Sequence, residues 1–404
     1  MPFVGSLLYQ TSLNSYLSVR FLLGPLKLKK LCVVATIPAI VNSFLRGHIE
    51  AAAQKYDVTV VCNSTDLHLI QGLSARIVLL PISRRPSLGR DFVALLLLIK
   101  LFYREQFDIV HSHFPKSGLL GMTAAWLTRV PIRIHTFHGE VWATREGWRR
   151  SLLKAFDRTV VGMTTDILTV SASQQQFLVR EGVLCQGQSK VIGAGSICGV
   201  DPLRFRPDLN IRHRTREDLG IDQHTRLILF MGRLNRDKGV LDLCNAFVAI
   251  ASRRPNVALL LVGTEEDILF SELQEMCGAY LQQIYYQPFT SMPERYMAAA
   301  DVFCLPSYRE GFGMTLIEAA ACGVPAAASR ISGIVDAVSD GETGLLFTPA
   351  NVSELTDALQ TLISDDPLRQ RMGILARSRA LKLFDADKIT TELVALYDTL
   401  IEKR

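Results

Sequence analysis

Val302-Phe-Cys-Leu-Pro-Ser-Tyr-Arg-Glu-Gly-Phe-Gly-Met-Thr-Leu-Ile-Glu-Ala-Ala-Ala321 holds, in order, a short apolar run, a loop with two glycines and a run of good helix formers. It reads as a strand over 302–305, a turn over 306–313 and a helix over 314–321. Open parallel sheets hold their ligands just beyond the carboxyl ends of the strands. A helix N-terminus at such a place offers unpaired N–H groups and the positive end of the helix dipole. Gly311, Phe312, Gly313, Met314 and Thr315 form that approach, and the two glycines let an anion come close to the backbone. Anion binding is therefore predicted without a lysine in the loop. Glu310 precedes the turn and Glu318 lies one helical turn in, so the two carboxylates face different parts of a pocket. An ionised carboxylate only accepts hydrogen bonds and suits vicinal hydroxyls. The plain alternative is a helix cap and a solvent-facing glutamate.

Outward from this unit the same alternation fills the chain. Strand-like runs occur at 31–37, 57–62, 76–80, 108–111, 132–137 and 166–170, and again at 227–231, 257–262, 283–286, 325–329 and 344–347, with longer amphipathic stretches between them. Strand, helix, strand is how a parallel sheet covered on both faces is written. The alternation stops near Pro202 and Pro207, where polar residues 208–224 intervene. The predicted fold is α/β, with two doubly wound halves: a leader over 1–30, a first domain over 31–205, a second over 206–382 and a terminal helix over 383–404. Residues 91–104 read as a covering helix whose apolar surplus packs into the core.

Composition narrows the partners. A chain of 404 residues with 49% hydrophobic and 21% charged residues is long enough for two cores. The eight cysteines are scattered without a Cys-x-x-Cys pair, which fits a reduced, cytoplasmic setting. A net charge of +5 is too weak at this length to name nucleic acid as the partner. The apolar run beginning at Leu95 is broken by Lys100, too soon for a membrane span. The leader lacks the order of a secretory signal and reads either as a disordered extension or as a surface-seeking amphipathic segment.

Three further strand ends carry chemistry. Phe230-Met-Gly-Arg-Leu-Asn-Arg-Asp-Lys-Gly239 places Arg233 and Lys238 where a guanidinium fork and an ammonium can converge on a diphosphate and stabilise its departure; a solvated basic turn is the alternative. His138 ends a first-half strand in Ile134-His-Thr-Phe-His-Gly-Glu140, where it would face a cleft between the halves; a structural histidine of a strand-end turn is the alternative. His111-Ser-His113 has the spacing of a metal pair but no acidic or histidine companion, and reads as a cleft loop near an acceptor. Asp385-Ala-Asp387 stands before the terminal helix, so it reads as a helix start and not as a Mg²⁺ bridge to a diphosphate. The glycines of 193–199 do not match Gly-x-Gly-x-x-Gly, and no Walker loop appears. No metal and no other cofactor is expected. A sugar nucleotide would give each glutamate a diol, one on the hexose and one on the ribose.

Taken jointly, Pro306-Ser-x-x-Glu310-Gly-Phe-Gly with Glu318, Gly232-Arg233 with Lys238-Gly239, and Gly199-Val-Asp201 resemble the retaining glycosyltransferases of family 4 from about Leu31 to the chain end. That resemblance implies the GT-B architecture, two facing Rossmann-like domains with a cleft between them. It implies donor-diphosphate contacts at Arg233 and Lys238, a backbone cradle at Gly313, Met314 and Thr315, the ribose at Glu318, the transferred sugar at Glu310, and His138 beside that sugar. Family members retain anomeric configuration, most plausibly by front-face attack with no enzyme nucleophile, so the glutamates are not the acid and nucleophile of a glycosidase. Ile132-Arg-Ile-His-Thr-Phe-His-Gly139 after Asp108-Ile-Val-His-Ser-His113 resembles the branch that builds capsules, O-antigens and exopolysaccharides, whose acceptors are often lipid-linked. The donor implied is a UDP-hexose or UDP-N-acetylhexosamine. The alternatives are GDP-mannose with another acceptor, or a nucleotide-sugar-binding protein without catalysis. Two departures stand out: 38–47 lacks Gly-Gly, and Pro288 replaces a glycine near the base-binding loop. Arg145, Arg149, Arg150, Lys154 and Arg158, interleaved with Trp148, Leu152, Leu153 and Phe156, read either as an anionic-membrane contact at the inner face of the cell membrane or as a solvated helix face.

Overall fold

A computed structural model describes residues 28–83 and 87–404. The expectation for the leader falls almost wholly outside the described residues. The first sheet is built of β1 (Lys30–Val34), β2 (Asp57–Cys62), β3 (Arg76–Leu79), β4 (Ile109–His113), β5 (Ile132–Phe137), β6 (Asp166–Thr169) and β7 (Ser189–Val191). The second has β8 (Arg226–Met231), β9 (Val257–Val262), β10 (Ile284–Gln287), β11 (Val302–Leu305), β12 (Ala326–Ser329) and β13 (Gly344–Phe347). Their orders are β3-β2-β1-β4-β5-β6-β7 and β10-β9-β8-β11-β12-β13, with every pairing parallel. Each order reverses once, between β1 and β4 and between β8 and β11. At such a switch point the loops of neighbouring strands diverge and open a crevice.

The buried strands are near-continuous apolar runs, as sheets covered on both faces require: all six residues of Val257–Val262 are buried. Helices α1 (Leu88–Glu105), α2 (Pro115–Leu127) and α3 (Gly147–Met163) lie side by side over the first sheet, followed by α4 (Ala172–Arg180). The second domain adds α5 (Leu209–Leu219), α6 (Val240–Ala251) and α7 (Met314–Ala321). The last helix, α8 (Ala386–Glu402), returns to the first domain, where Tyr397 donates to or accepts from His111 Nδ1 at 2.7 Å and Asp398 pairs with Lys55. Asp385 caps α8 by accepting from the Lys388 amide, so the Asp-x-Asp pair is a helix start.

Three expectations need correction. First, the strand expected over 31–37 ends at Val34, because Pro38 already opens a helical turn. Second, the apolar surplus of α1 is not core packing. Only Ala94, Leu98 and Phe102 are buried, while Phe92 is 61% exposed and Leu88, Val93, Leu96 and Leu97 are also exposed. The helix has more apolar residues than the one stripe that meets the sheet can hold, and the rest are left at the surface. Third, His111 and His113 are not in a loop. They are buried residues of β4, continuing it two residues past its expected end.

Candidate functional site

The loops that leave β8, β9 and β11 lock together through glycine. A Cβ on Gly263 would lie 1.9 Å from the Gly232 carbonyl oxygen, and one on Gly239 would lie 2.0 Å from that of Pro306. The Tyr308 amide donates to the Asp237 carbonyl at 2.8 Å, and Arg309 pairs with Asp237 at 2.8 Å. The β8 and β11 loops are therefore one surface, brought together because their strands are neighbours.

At its centre Gly313, with φ of +75°, turns the chain into α7. No side chain caps this helix, and among the described residues the amides of Gly313, Met314 and Thr315 have no protein acceptor. Three N–H groups at a helix N-terminus are a site for an anion. Gly311 meets a constraint beyond the one its sequence suggested. Its Cβ would lie 2.4 Å from the His138 carbonyl oxygen, so the two domains meet backbone to backbone there. Ser173 of α4 strengthens the closure by accepting from the Gly333 amide at 2.7 Å and bonding to Asp336.

Lys238 Nζ donates to Glu310 Oε1 at 2.5 Å, and Ser307 Oγ donates to the same oxygen at 2.9 Å. Arg233 does not converge with Lys238 here: it pairs with Glu266, which also accepts from Asn235. Both cations are held on carboxylates at the rim of the anion site. The side-chain carboxyl of Glu318, half-buried on α7, accepts no hydrogen bond among the described residues, and burial pushes its pKa up to about 7.

From the first domain comes a histidine group. His113 Nδ1 lies 2.9 Å from His138 Nε2, and the His138 ring stacks on Phe114 with centroids 4.2 Å apart. His138 Nδ1 is buried without a partner among the described residues, and burial pushes the ring's pKa down to about 3, so His138 is neutral. His111 is occupied by Tyr397 and Thr136, and among the described residues no cluster of three or more His, Cys, Asp or Glu is placed to hold a metal ion. Behind Gly139, Glu140 is buried and takes a hydrogen bond from Gln174 at 2.8 Å. Burial first, then the neighbouring Asp157, raise its carboxyl to about 8. Ser307, Phe114 and Glu140 were not singled out from sequence. Phe114 and Glu140 take their roles from contacts with distant residues and from burial, which have no local signature, whereas Ser307 acts on Glu310 only three residues on, a spacing that sequence could have offered.

The basic series on α3 divides. Arg150 and Lys154 both pair with Glu181 at 2.8 Å and lie over the Trp142 ring, so they belong to the fold. Arg149 remains at the surface over the ring of Trp148, which is 71% exposed, and Arg145, just before α3, is exposed as well.

Comparison with known proteins agrees with this geometry. The family described as Glycosyltransferase Family 4 matches residues 44–195, and that described as Glycosyl transferases group 1 matches residues 211–379. The chain is 30% identical over 362 residues to the capsular polysaccharide biosynthesis glycosyltransferase CapM of Staphylococcus aureus, covering 89% of this chain and 94% of that one. Among solved structures, sucrose-phosphate synthase from Thermosynechococcus elongatus superposes with a TM-score of 0.77 at 22% identity, over 93% of this chain and all of that one. Anabaena Alr3699/HepE in complex with UDP-glucose superposes with a TM-score of 0.75 at 19% identity, over 92% of this chain and 99% of that one.

Proposed function

Since the chain belongs to glycosyltransferase family 4 and has the GT-B fold, we propose that it is a retaining, metal-independent transferase. It moves a hexose or N-acetylhexosamine from a UDP-linked donor to a lipid-linked or growing surface polysaccharide. The observation that carries this reading is the juxtaposition of three acceptor-less amides at the start of α7 with Lys238 and Glu310 at one switch point. A diphosphate on those amides has Lys238 within reach and, once Arg233 turns from Glu266, a second cation. Charge on the departing diphosphate is stabilised by donors already in place. The similarity to CapM supports the acceptor class, and the likeness to a structure holding UDP-glucose supports the donor. Glu310, already an acceptor for an ammonium and a hydroxyl, binds sugar hydroxyls and is not a nucleophile. The leaving phosphate takes the acceptor's proton on the front face.

A calorimetric screen of UDP, GDP and ADP, followed by UDP-glucose and UDP-N-acetylglucosamine, tests the donor. UDP is expected to bind most tightly and to be released on turnover with acceptor; preference for GDP, or binding without release, would refute the reading. The Glu310→Ala variant sharpens it. Removing the carboxylate frees Lys238 for the diphosphate, so UDP affinity should hold or rise while the gain from the sugar is lost. Equal loss of both would show that the division of labour is wrong.

Glu318 adds a pH dependence. Its raised value means the free protein holds this proton to about pH 7, whereas a carboxylate receiving ribose hydroxyls must be ionised. Donor affinity is then expected to fall as pH drops below about 7, by up to about tenfold per unit, until the bound form protonates. Titration of UDP-glucose between pH 8 and pH 5.5 checks this, and Glu318→Gln should flatten the profile.

We propose also that it is a peripheral protein at the cytoplasmic face of the membrane. Among the described residues no helix is long and apolar enough to cross a bilayer. The outward stripes of α1 and α3 nonetheless expose Phe92, Leu96, Trp148 and Phe156, with Lys100 and Arg149 among them. Apolar side chains ringed by cations suit an anionic leaflet. Flotation with anionic liposomes should show binding that high salt and Phe92→Ser with Trp148→Ser both reduce; no binding would sink the placement.

A further inference from the structure

Phe114 is held where L-residues are rarely found, with φ of +69° and ψ of 155°, a region populated almost only by glycine. The position joins β4 to α2, and the Phe114 side chain makes no capping hydrogen bond. Glycine would adopt this backbone without strain and is well tolerated at a helix N-cap. A phenylalanine that bears the strain therefore has work for its ring. That ring stacks on His138 at 4.2 Å with the planes 16° apart. The preceding residue, His113, grips the same imidazole at its edge, Nδ1 to Nε2 at 2.9 Å. The remaining ring nitrogen of His138, Nδ1, is buried with no partner among the described residues.

Building on the reading that His138 meets the transferred sugar, we propose that His113 and Phe114 are positioning residues which fix the ring plane and the tautomer of His138 for that contact. Face and edge are held by consecutive residues of one strand end, so the ring can neither tilt nor flip. The hydrogen bond also sets which nitrogen carries the proton. If His113 donates, His138 Nδ1 bears hydrogen and donates to a sugar oxygen; if His113 accepts, Nδ1 is the acceptor for a sugar hydroxyl. Either way one tautomer is selected before substrate arrives. Two adjoining residues account for both. His111 is bonded to Tyr397 and Thr136, and His135 to Ser112, so neither competes for His138.

The strain gives the test its discrimination. Phe114→Gly relieves the backbone while deleting the stack, so the melting temperature should hold or rise while kcat, followed as UDP release from UDP-glucose or UDP-N-acetylglucosamine, falls about 10- to 100-fold. UDP affinity should not change, because the diphosphate site lies in the other domain. His113→Ala should lower kcat similarly, and His113→Asn, whose amide reaches the place of Nδ1, should restore most of it. Long-range nitrogen–proton spectra of protein labelled at histidine should show one His138 tautomer in the parent and a mixture in His113→Ala. The proposal is overturned if Phe114→Gly keeps full turnover, if it loses stability and turnover together, or if the His138 tautomer ignores residue 113. His138→Ala separates the two levels: if that variant turns over normally, the role given to His138 is itself wrong, whereas a slow His138→Ala beside normal Phe114→Gly and His113→Ala rejects the positioning alone.

Discussion

Lys238→Ala is expected to lower kcat by about 100- to 1,000-fold, the range found when a single preorganised donor to a developing anion is removed. The size follows from what the ammonium does twice. In the proposed reaction it meets the charge that grows on the leaving diphosphate. In the free protein it is the ion-pair partner of Glu310, whose side chain is only 13% exposed and would be left with Ser307 alone. An uncompensated carboxylate beside the diphosphate then repels the donor as well, so UDP affinity should fall along with turnover. The double variant Lys238→Ala with Glu310→Gln separates these effects. Neutralising Glu310 should recover UDP binding, measured by calorimetry, without recovering kcat. If binding stays as weak as in the single variant, the Glu310 charge is not what repels the donor.

The largest expected loss of stability lies away from the site, at Asp301 on the threshold of β11. Its carboxylate accepts from Arg216 at 2.7 Å, from Arg212 at 2.8 Å and from the Leu227 amide at 2.8 Å. The Arg216 side chain is wholly buried and is further bonded to the carbonyls of Ala299, Asp222, Gln223 and Thr225. Asp301→Ala would strand a buried guanidinium, which costs about 3–5 kcal/mol when a buried pair is broken from one side. Chemical denaturation of the second domain should show that shift. Lys55→Ala, which breaks the 2.7 Å pair with Asp398 where Lys55 is 57% exposed, should cost less than about 1 kcal/mol. The contrast comes from solvent: water re-solvates a surface charge and cannot reach Arg216.

The strand–turn–helix unit over residues 302–321 was legible residue for residue, because its apolar run, glycine turn and helix formers are local signals. Most strands were legible for the same reason. β7 was missed, since Ser189–Val191 is three residues of edge strand and too short for a pattern to register. The division between buried and exposed faces failed on α1, where apolar residues outnumber what one face can bury and only some of them meet the sheet. Gly311 was singled out for the approach of an anion, and nothing in the sequence signalled that the His138 carbonyl of the other domain also needs its bare backbone. The strand read over 108–111 stopped two residues short, leaving His113 in a loop; α8, some 280 residues further on, covers this strand end through Tyr397, which bonds to His111.

Sequence by itself determined the fold class, the two sheets and the strand–turn–helix unit over residues 302–321, and it named the side chains proposed here for charge and hydroxyl binding, since all of these follow from local periodicity and the chemistry of single side chains. Only the tertiary structure decided their partners. That Lys238 holds Glu310 while Arg233 holds Glu266, that Glu318 is desolvated enough to keep a proton to about pH 7, and that Phe114 strains to lie on His138 depend on which loops the sheet order makes neighbours. Burial and pairing are properties of assembled surfaces, and no window of sequence contains both halves of them.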